Sequence, residues 1–569
     1  MSRCSFALMI AATSLSLALL ASLQTALLFT SAHAQAQDIQ SMQPYHTVNP
    51  ANRVTLDRYW TVPDDIPLPT VVNHTTSFTG SASLAEGYLF ISPHERRVGS
   101  SVYEPYLLIV DNDGELVYHY KVPPDQYADH SRLDDFKVLD NGLLSYWVGG
   151  LHRHLFRDST YEVVGTVLPV GNVSDLHDIQ VMPNGNYLLI VYSLRYIDVS
   201  EVVDGGSTNM AYINCHIQEI DPQGELVFEW RSEDHYAITD TYHSLVTTYL
   251  DAVHCNSVEQ DTDGNLLISS RDLYEVTKIN RATGEIMWRF GGKNNQFEMI
   301  NAIDAEHVLF EKQHDARRVA NGNLTVFDNR LNTYSRVVEY ELDEDNLTAT
   351  LVWEHRHTPD LFGKFLGNAQ RLPNGNTLIS WGDAATTVTE VTRDGQTLLE
   401  LSLPPEMVTY RAYRFPWTGH PSTPPDLAVI REIEQASITN TGPLSQTTSI
   451  QLAYSWNGAT EVAAYNVYGD ASAFPQTLIA TQPKTGFETT TIITDSTVIS
   501  AMVQENYHVR VVPLNANGIP FTNTSDMTNT ISSATHRVAD AIIVPAAQTQ
   551  TQTQTTTHRL FLPWVLQGP

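Results

Sequence analysis

Cysteine is scarce: three residues in a chain of 569, with no Cys-x-x-Cys pair and no zinc-ligand spacing. Zinc-finger and dithiol redox chemistry are therefore excluded as organising principles. Cys4 lies in the leader. Cys215 and Cys255 are left, and they could form one bridge in an oxidising compartment or stay as buried thiols. Basic residues are few as well, 33 Lys and Arg against 64 Asp and Glu, a formal net charge of −31. Such a surface repels polyphosphates and anionic lipid, which excludes nucleic acid as a partner and serves solubility outside the cell. A small anion must then be drawn in by local positive groups. The long apolar stretch without charge is Phe6–Phe29, behind Arg3 and ahead of Ala32-His33-Ala34. Residues 1–34 read as a signal peptide, with a retained anchor as the other reading. Either way the mature chain is expected in the periplasm, at the cell surface or secreted, with no membrane insertion once the signal is cleaved.

What is present is turn chemistry and strand-forming sequence. The 28 Pro and 30 Gly, with abundant Thr, Val and Tyr, suit an all-β protein. Two punctuation marks alternate along it. Hairpin turns stand at Asn141-Gly142, Asn184-Gly185, Asp263-Gly264, Asn321-Gly322 and Asn374-Gly375. Between them, Gly-Glu or Asp-Gly turns lead strands such as DGELVYHY (113–120), GELVFEW (224–230), GEIMWRF (284–290) and DGQTLLELSL (394–403). With GYLFIS (87–92) counted as the first inner hairpin, about six units fit between 81 and 418. Four strands per unit at this period predict a six-bladed β-propeller. The segment 35–80 is read as a short N-terminal piece.

Three units place a histidine at the start of their first strand: His177 in LHDIQVMPNGNYLLI, His254 in VHCNSVEQDTDGNLLISSR and His314 in QHDARRVANGNLTVFDNR. In a radial array these imidazoles converge on one axis. Strand alternation puts Asn256 on the face of His254, and the Thr262-Asp263 turn puts Arg271 opposite His254 on the partner strand. The same alternation gives Ala316 and Arg318 the face of His314 and turns Asp315 and Arg317 away. No carboxylate is identified in this set. Three uses compete: polar channel lining, a metal site, or an oxyanion site. An arginine adds positive charge beside a metal but offers a fork of donors to a tetrahedral oxyanion, so the oxyanion site fits best.

His177 with PNGNYLL, the VHCNSV motif, the Arg271 strand, WRFGGKNNQF and QHDARRVANGNLTVFDN together resemble the bacterial arylsulfate sulfotransferase family. The likeness covers about 170–405 well and 81–170 weakly. It implies a six-bladed propeller that moves a sulfuryl group from an aryl sulfate to a phenol with no nucleotide donor, metal or organic cofactor. By resemblance His314 is transiently sulfated, while His254, Asn256, Arg271 and His177 hold the sulfuryl oxygens; Arg318 is a further substrate-binding candidate from its strand face. Tyr192, Trp381, Tyr410 and Tyr413 are candidate walls for an aryl ring. Two features depart from enteric members: no cysteine pair lies in 291–313, and the N-terminal β-domain is reduced to about 40–80.

After HPSTPPD (420–426), a Pro-rich hinge, the stretch 427–540 resembles a fibronectin type III module, a small β-sandwich with binding or spacing as its expected role. Residues 541–569 hold a Gln/Thr-rich low-complexity run and an apolar end, HRLFLPWVLQGP, that could contact the cell envelope.

Overall fold

In a computed structural model the described residues run from 59 to 545, excepting 64, 76–81, 97–103, 123–131, 301–308, 436–444, 504–506, 522–533 and 538–541. The signal peptide, the Gln/Thr run and the apolar end lie outside the described residues. No helix among the described residues is long and apolar enough to cross a membrane.

Nearly all described structure is antiparallel sheet. Six sheets follow one another, each built on four antiparallel strands and three of them carrying a fifth. The second, from its inner strand outward, is Leu133–Val138, Leu144–Val148, Arg153–Arg157 and Val163–Val167. The third starts at Val173–Val181, the fourth at Cys255–Gln260, the fifth at His314–Arg318 and the sixth at Asn368–Arg371. The first sheet corrects the expectation for 87–92. Its innermost strand is Ala412–Phe415, from the last part of the ring-forming segment, and Tyr88–Ile91 is second. The two ends of that segment are thus bonded into one sheet, which closes the ring. Thr70–Asn73 adds an outer strand to the sixth sheet.

The residues explain the stacking. The second strands are largely apolar on both faces, as in Leu188–Val191 and Leu266–Ile268, with Thr325 and Ser145 as buried polar positions in Leu324–Phe327 and Leu144–Val148. A strand between two neighbouring sheets buries both of its faces, so both faces must be apolar. Leu188 and Ile190 accordingly pack with Val258 and Ile268 of the fourth sheet. Leu189 and Val191 pack with Phe156 and Ile179 on the other side. Six such cores, one for each adjacent pair of sheets, complete the circuit.

The inner strands are not regular. Register shifts fall between Asp134 and Lys137, Ser174 and Ile179, Cys255 and Ser257, and His314 and Arg317. Asp135, His254 and Asp315 have positive φ of 54°, 52° and 55°. These β-bulges re-aim side chains near the axis and cancel the period-two reading of faces.

Beyond 420 the chain forms two more four-stranded sheets, around Ile450, Leu452, Tyr454, Tyr465, Val467, Val509 and Val511. Tyr507 Oη donates to Gly469 O at 2.8 Å. The expected hinge is docked: His420 N donates to Ser159 O at 2.7 Å. Asn457 exchanges hydrogen bonds with both backbone groups of His119, each 2.9 Å. Gly458, at φ 94°, presses on Tyr161, where a Cβ would meet the ring at 2.3 Å. Only glycine fits that approach.

Candidate active site

The bulge within Val173–Val181 and the starts of the innermost strands of the fourth and fifth sheets bring the imidazoles together. The ring centroids of His177 and His254 are 4.9 Å apart. Tyr410 lies 5.5 Å from His177 and 6.5 Å from His314, bridging the group. Tyr192 closes the side at 5.9 Å from His177 and 6.1 Å from His254. All three histidines are buried, His314 with 2 % of its surface exposed.

Each ring is tied by Nδ1 to an acceptor. His177 is held by Asp175, two residues back on the same strand. His254 bonds Asp251 Oδ2 at 2.7 Å. His314 bonds Asn329 Oδ1 at 2.7 Å. The orientation of Asn329 is settled by its own bonds: Nδ2 donates to Gly363 O at 2.9 Å and Leu366 O at 3.0 Å. Its oxygen must then accept, so Nδ1 of His314 carries the proton. Lys312 O, 3.2 Å from the same nitrogen, agrees. In all three rings Nε2 is left for the site, and among the described residues none of these nitrogens has a partner.

Arg271 lies opposite His254, its backbone N donating to His254 O at 3.0 Å. It stands in a short 3-10 turn, Arg271–Leu273, and not on the strand. Nη1 contacts the Asp272 carboxylate at 3.2 and 3.4 Å, and the guanidinium sits 5.1 Å from the Phe365 ring centre. Lys312 Nζ adds a second cation to Asp272, at 2.5 Å. His243 approaches the same carboxylate at 3.2 Å. Burial works to raise the Asp272 carboxyl, but Arg271 and Lys312 hold it well below its ordinary range. Burial, then the charge of Arg271, pushes the His314 ring well below 6.5. Burial also lowers His177, against the pull of Asp175.

Two candidates have different surroundings from those expected. The bulge after His314 breaks the alternation, and Arg318 turns away from the site. It pairs with Asp261 at 2.7 Å and Glu344 at 2.7 Å. Asn256 is fully buried and donates to Gln313 O at 2.7 Å, steadying the residue before His314. Trp381 is core of the sixth sheet, donating to Thr389, and Tyr413 donates to Asp135; Tyr192 and Tyr410 are the aromatic rings at the histidines.

The expectation that no carboxylate belongs here is overturned by Asp175, Asp251 and Asp272. Their signals were in plain view as Asp-x-His (175–177), Asp-x-x-His (251–254) and the Asp after Arg271. Asn329 stood in the VFDN motif. Asp251, His254 and Asp272 offer ligand atoms within 4.8 Å of one another. A metal there would face Arg271 and Lys312, already in contact with Asp272, so the donor set suits an anion better.

Residues 72–414 match the arylsulfotransferase (ASST) family over more than half of the chain. The chain belongs to the arylsulfotransferase family. A curated relative, arylsulfate sulfotransferase AssT of Escherichia coli O6:H1 strain CFT073, is 25 % identical over 328 residues. That alignment covers 44 % of this chain and 52 % of the relative, so the chain spans about half the length of that protein. Among solved structures, a Bacteroides caccae protein of unknown function is similar with a TM-score of 0.37 and 12 % identity, over 57 % of this chain and 98 % of that one. A virginiamycin B lyase variant from Staphylococcus aureus is similar with a TM-score of 0.31 and 9 % identity, over 59 % and 88 %. At these scores neither decides anything about this chain.

Cys215 and Cys255 form a disulfide with Cα atoms 6.0 Å apart. It joins the third sheet of the ring to the fourth, one residue from His254. Tyr192, paired with Cys215, donates to Cys255 O at 3.0 Å.

Proposed function

We propose that this member of the family is an aryl sulfotransferase that moves a sulfuryl group from a phenolic sulfate ester to a phenol, with His314 as the transient carrier and no nucleotide sulfate donor. The observation that carries this reading is the Nδ1–H···Oδ1 bond from His314 to Asn329, which leaves Nε2 unprotonated beside Arg271. A neutral imidazole is a competent nucleophile, and a covalent intermediate divides one hard displacement into two. The six sheets are read as propeller blades whose inner ends present the site at one mouth.

Sulfuryl transfer passes through a loose transition state, so positioning and charge stabilisation dominate. Arg271, fixed by Asp272 on one side and the Phe365 face on the other, presents its free donors to the sulfuryl oxygens. His177 and His254 line the same space, and Tyr192 and Tyr410 offer aromatic surface to the aryl group. Asn256 acts from behind by holding Gln313. No nucleic acid partner is expected of so acidic a chain. An extracytoplasmic location is supported by the N-terminal 34 residues and by the disulfide. The C-terminal sheets are read as a fibronectin III-like spacer or binding module.

The test uses the purified mature protein. Phenol release from an aryl sulfate should depend on a second phenol, and incubation without acceptor should leave one sulfuryl group on the peptide spanning 313–317. A rapidly quenched alkaline digest preserves an N-linked sulfuryl group for mass spectrometry. Acceptor-independent hydrolysis, or an adduct on His177 or His254, would overturn the assignment.

A further inference from the structure

The three imidazoles are geometrically alike but are not backed alike. His314 leans on a carboxamide, Asn329. His254 leans on a carboxylate, Asp251, and a second carboxylate, Asp272, has an oxygen within 4.8 Å of its ligand nitrogen. We propose that Asp251, together with Asp272, is a positioning residue that keeps His254 as the imidazolium that protonates the departing phenolate oxygen, while Asn329 holds the Nδ1 proton of His314 and so leaves its Nε2 free for attack. This rests on the sulfuryl-transfer reading above and deepens it by dividing the proton inventory of the same site.

The charges facing each ring favour this division. Around His254 stand Asp251, Asp272 and, across the mouth, Asp175, with the neutral rings of Tyr192, His177 and His314. Two cations, Arg271 and Lys312, reach Asp272, and the more exposed His243 ring approaches it at 3.2 Å. Three carboxylates against two cations leave room for one more positive charge, and a protonated His254 supplies it. His314 meets the opposite setting. Arg271, His254 and His177 all oppose its protonation, and no carboxylate bonds it. His177 has Asp175 behind it, but Arg411 and His254 face it, and burial brings its ring below the ordinary value. It is the poorer seat for a proton.

The step balances. In the donor half, the Nε2 lone pair of His314 forms the N–S bond as the S–O ester bond breaks. The electron pair leaves on the phenolic oxygen, which takes the proton from His254 Nε2. In the acceptor half, the incoming phenol gives its proton to the now neutral His254, its oxygen bonds sulfur, and the N–S pair returns to His314.

General acid assistance matters most for a poor leaving group, which separates this role from a structural one. Phenol release without acceptor is measured in single turnover for phenyl sulfate and for 4-nitrophenyl sulfate on the same preparation. Asp251→Asn keeps a hydrogen-bond acceptor but loses the charge. It should slow phenyl sulfate by ~10²-fold and 4-nitrophenyl sulfate by less than about fivefold. Because both donors see the same protein, a misfolded fraction cancels in the ratio. His254→Gln should show the same selectivity and serves alone if Asp251→Asn does not fold. In the unaltered protein, the phenyl sulfate rate should fall with loss of one proton as pH rises while the 4-nitrophenyl sulfate rate stays flat. Equal losses with both donors, or parallel pH profiles, would overturn this inference and leave the transferase reading standing. A wild-type protein that forms no adduct from either donor removes both.

Discussion

Consecutive residues of the same strands build two opposite things. His177 and His314 face the mouth, whereas Asp178 and Asp315, the next residues along, turn to the axis. There they join Asp135, Lys137, Arg317 and Arg411 in a plug of paired charges. Asp178 contacts Lys137 at 2.8 Å, Arg317 at 2.6 Å and Arg411 at 3.4 Å. Arg411 also reaches Asp135 at 3.2 Å and Asp315 at 3.6 Å. Three carboxylates meet three cations, and Tyr413 donates to Asp135 at 2.9 Å. The plug has spent its charges on one another. The mouth keeps Nε2 of three histidines in reserve among the described residues. Burial is common to both. What differs is pairing, and pairing separates a structural element from a reactive one.

The sharpest break of that comparison is at the shared dipeptide 314–315. His314→Ala should abolish both adduct and transfer, a loss above ~10³-fold, with the unfolding midpoint little changed. Full retention of adduct would return His314 to the structural side. The converse change in the plug, Asp178→Asn, leaves three buried cations facing two carboxylates. It should cost about 3–5 kcal/mol of stability in denaturant unfolding. A near-neutral effect would show that the plug tolerates unpaired charge.

Arg271→Lys keeps the charge and loses the fork. Turnover should fall ~10²-fold, about 3 kcal/mol, with folding intact. An unchanged rate would mean that no planar clamp acts there. A smaller effect is expected from pH. The folded-state value of the His314 ring lies well below 6.5, so the neutral ring persists as pH falls through 6.5. Adduct formation should therefore hold into mildly acidic solution and then drop as one proton is taken up. The sign for stability is opposite: below 6.5 the unfolded chain protonates this histidine while the folded chain does not, so His314 lowers stability as pH falls. An acid limb centred at or above 6.5 would contradict the buried, arginine-flanked setting. Smallest is Arg318→Gln. Its side chain is spent on Asp261 and Glu344, so turnover should stay within about twofold while stability drops by about 1 kcal/mol. A large loss of turnover would bring Arg318 back to the site.

Local chemistry was legible without coordinates. Asn-Gly and Asp-Gly turns, apolar second strands and repeated histidines follow from short-range sterics and period, and the all-β ring, the convergence of three imidazoles and the place of Arg271 opposite His254 could be read from them. Face assignments next to the axis could not. A bulge inserts one unpaired residue, and a single insertion inverts every face that follows; Arg318 was read onto the wrong side for that reason. Asp175 and Asp251 stand two and three residues before the rings they back and were within reach of the sequence, whereas Asn329 and His314 are fifteen residues apart and Asp178 meets Arg411 across the ring.

By itself the sequence determined the strand inventory, the turn chemistry, the acidic surface and the identity of the three rings, because each depends on neighbours within a few residues. Tertiary structure alone decided the closure of the first sheet by Ala412–Phe415, the Cys215–Cys255 bridge, and which histidine rests on a carboxylate and which on an amide. Those outcomes require groups that different strands and loops carry to meet in a buried, low-dielectric space, where partner and distance set the charge each one carries.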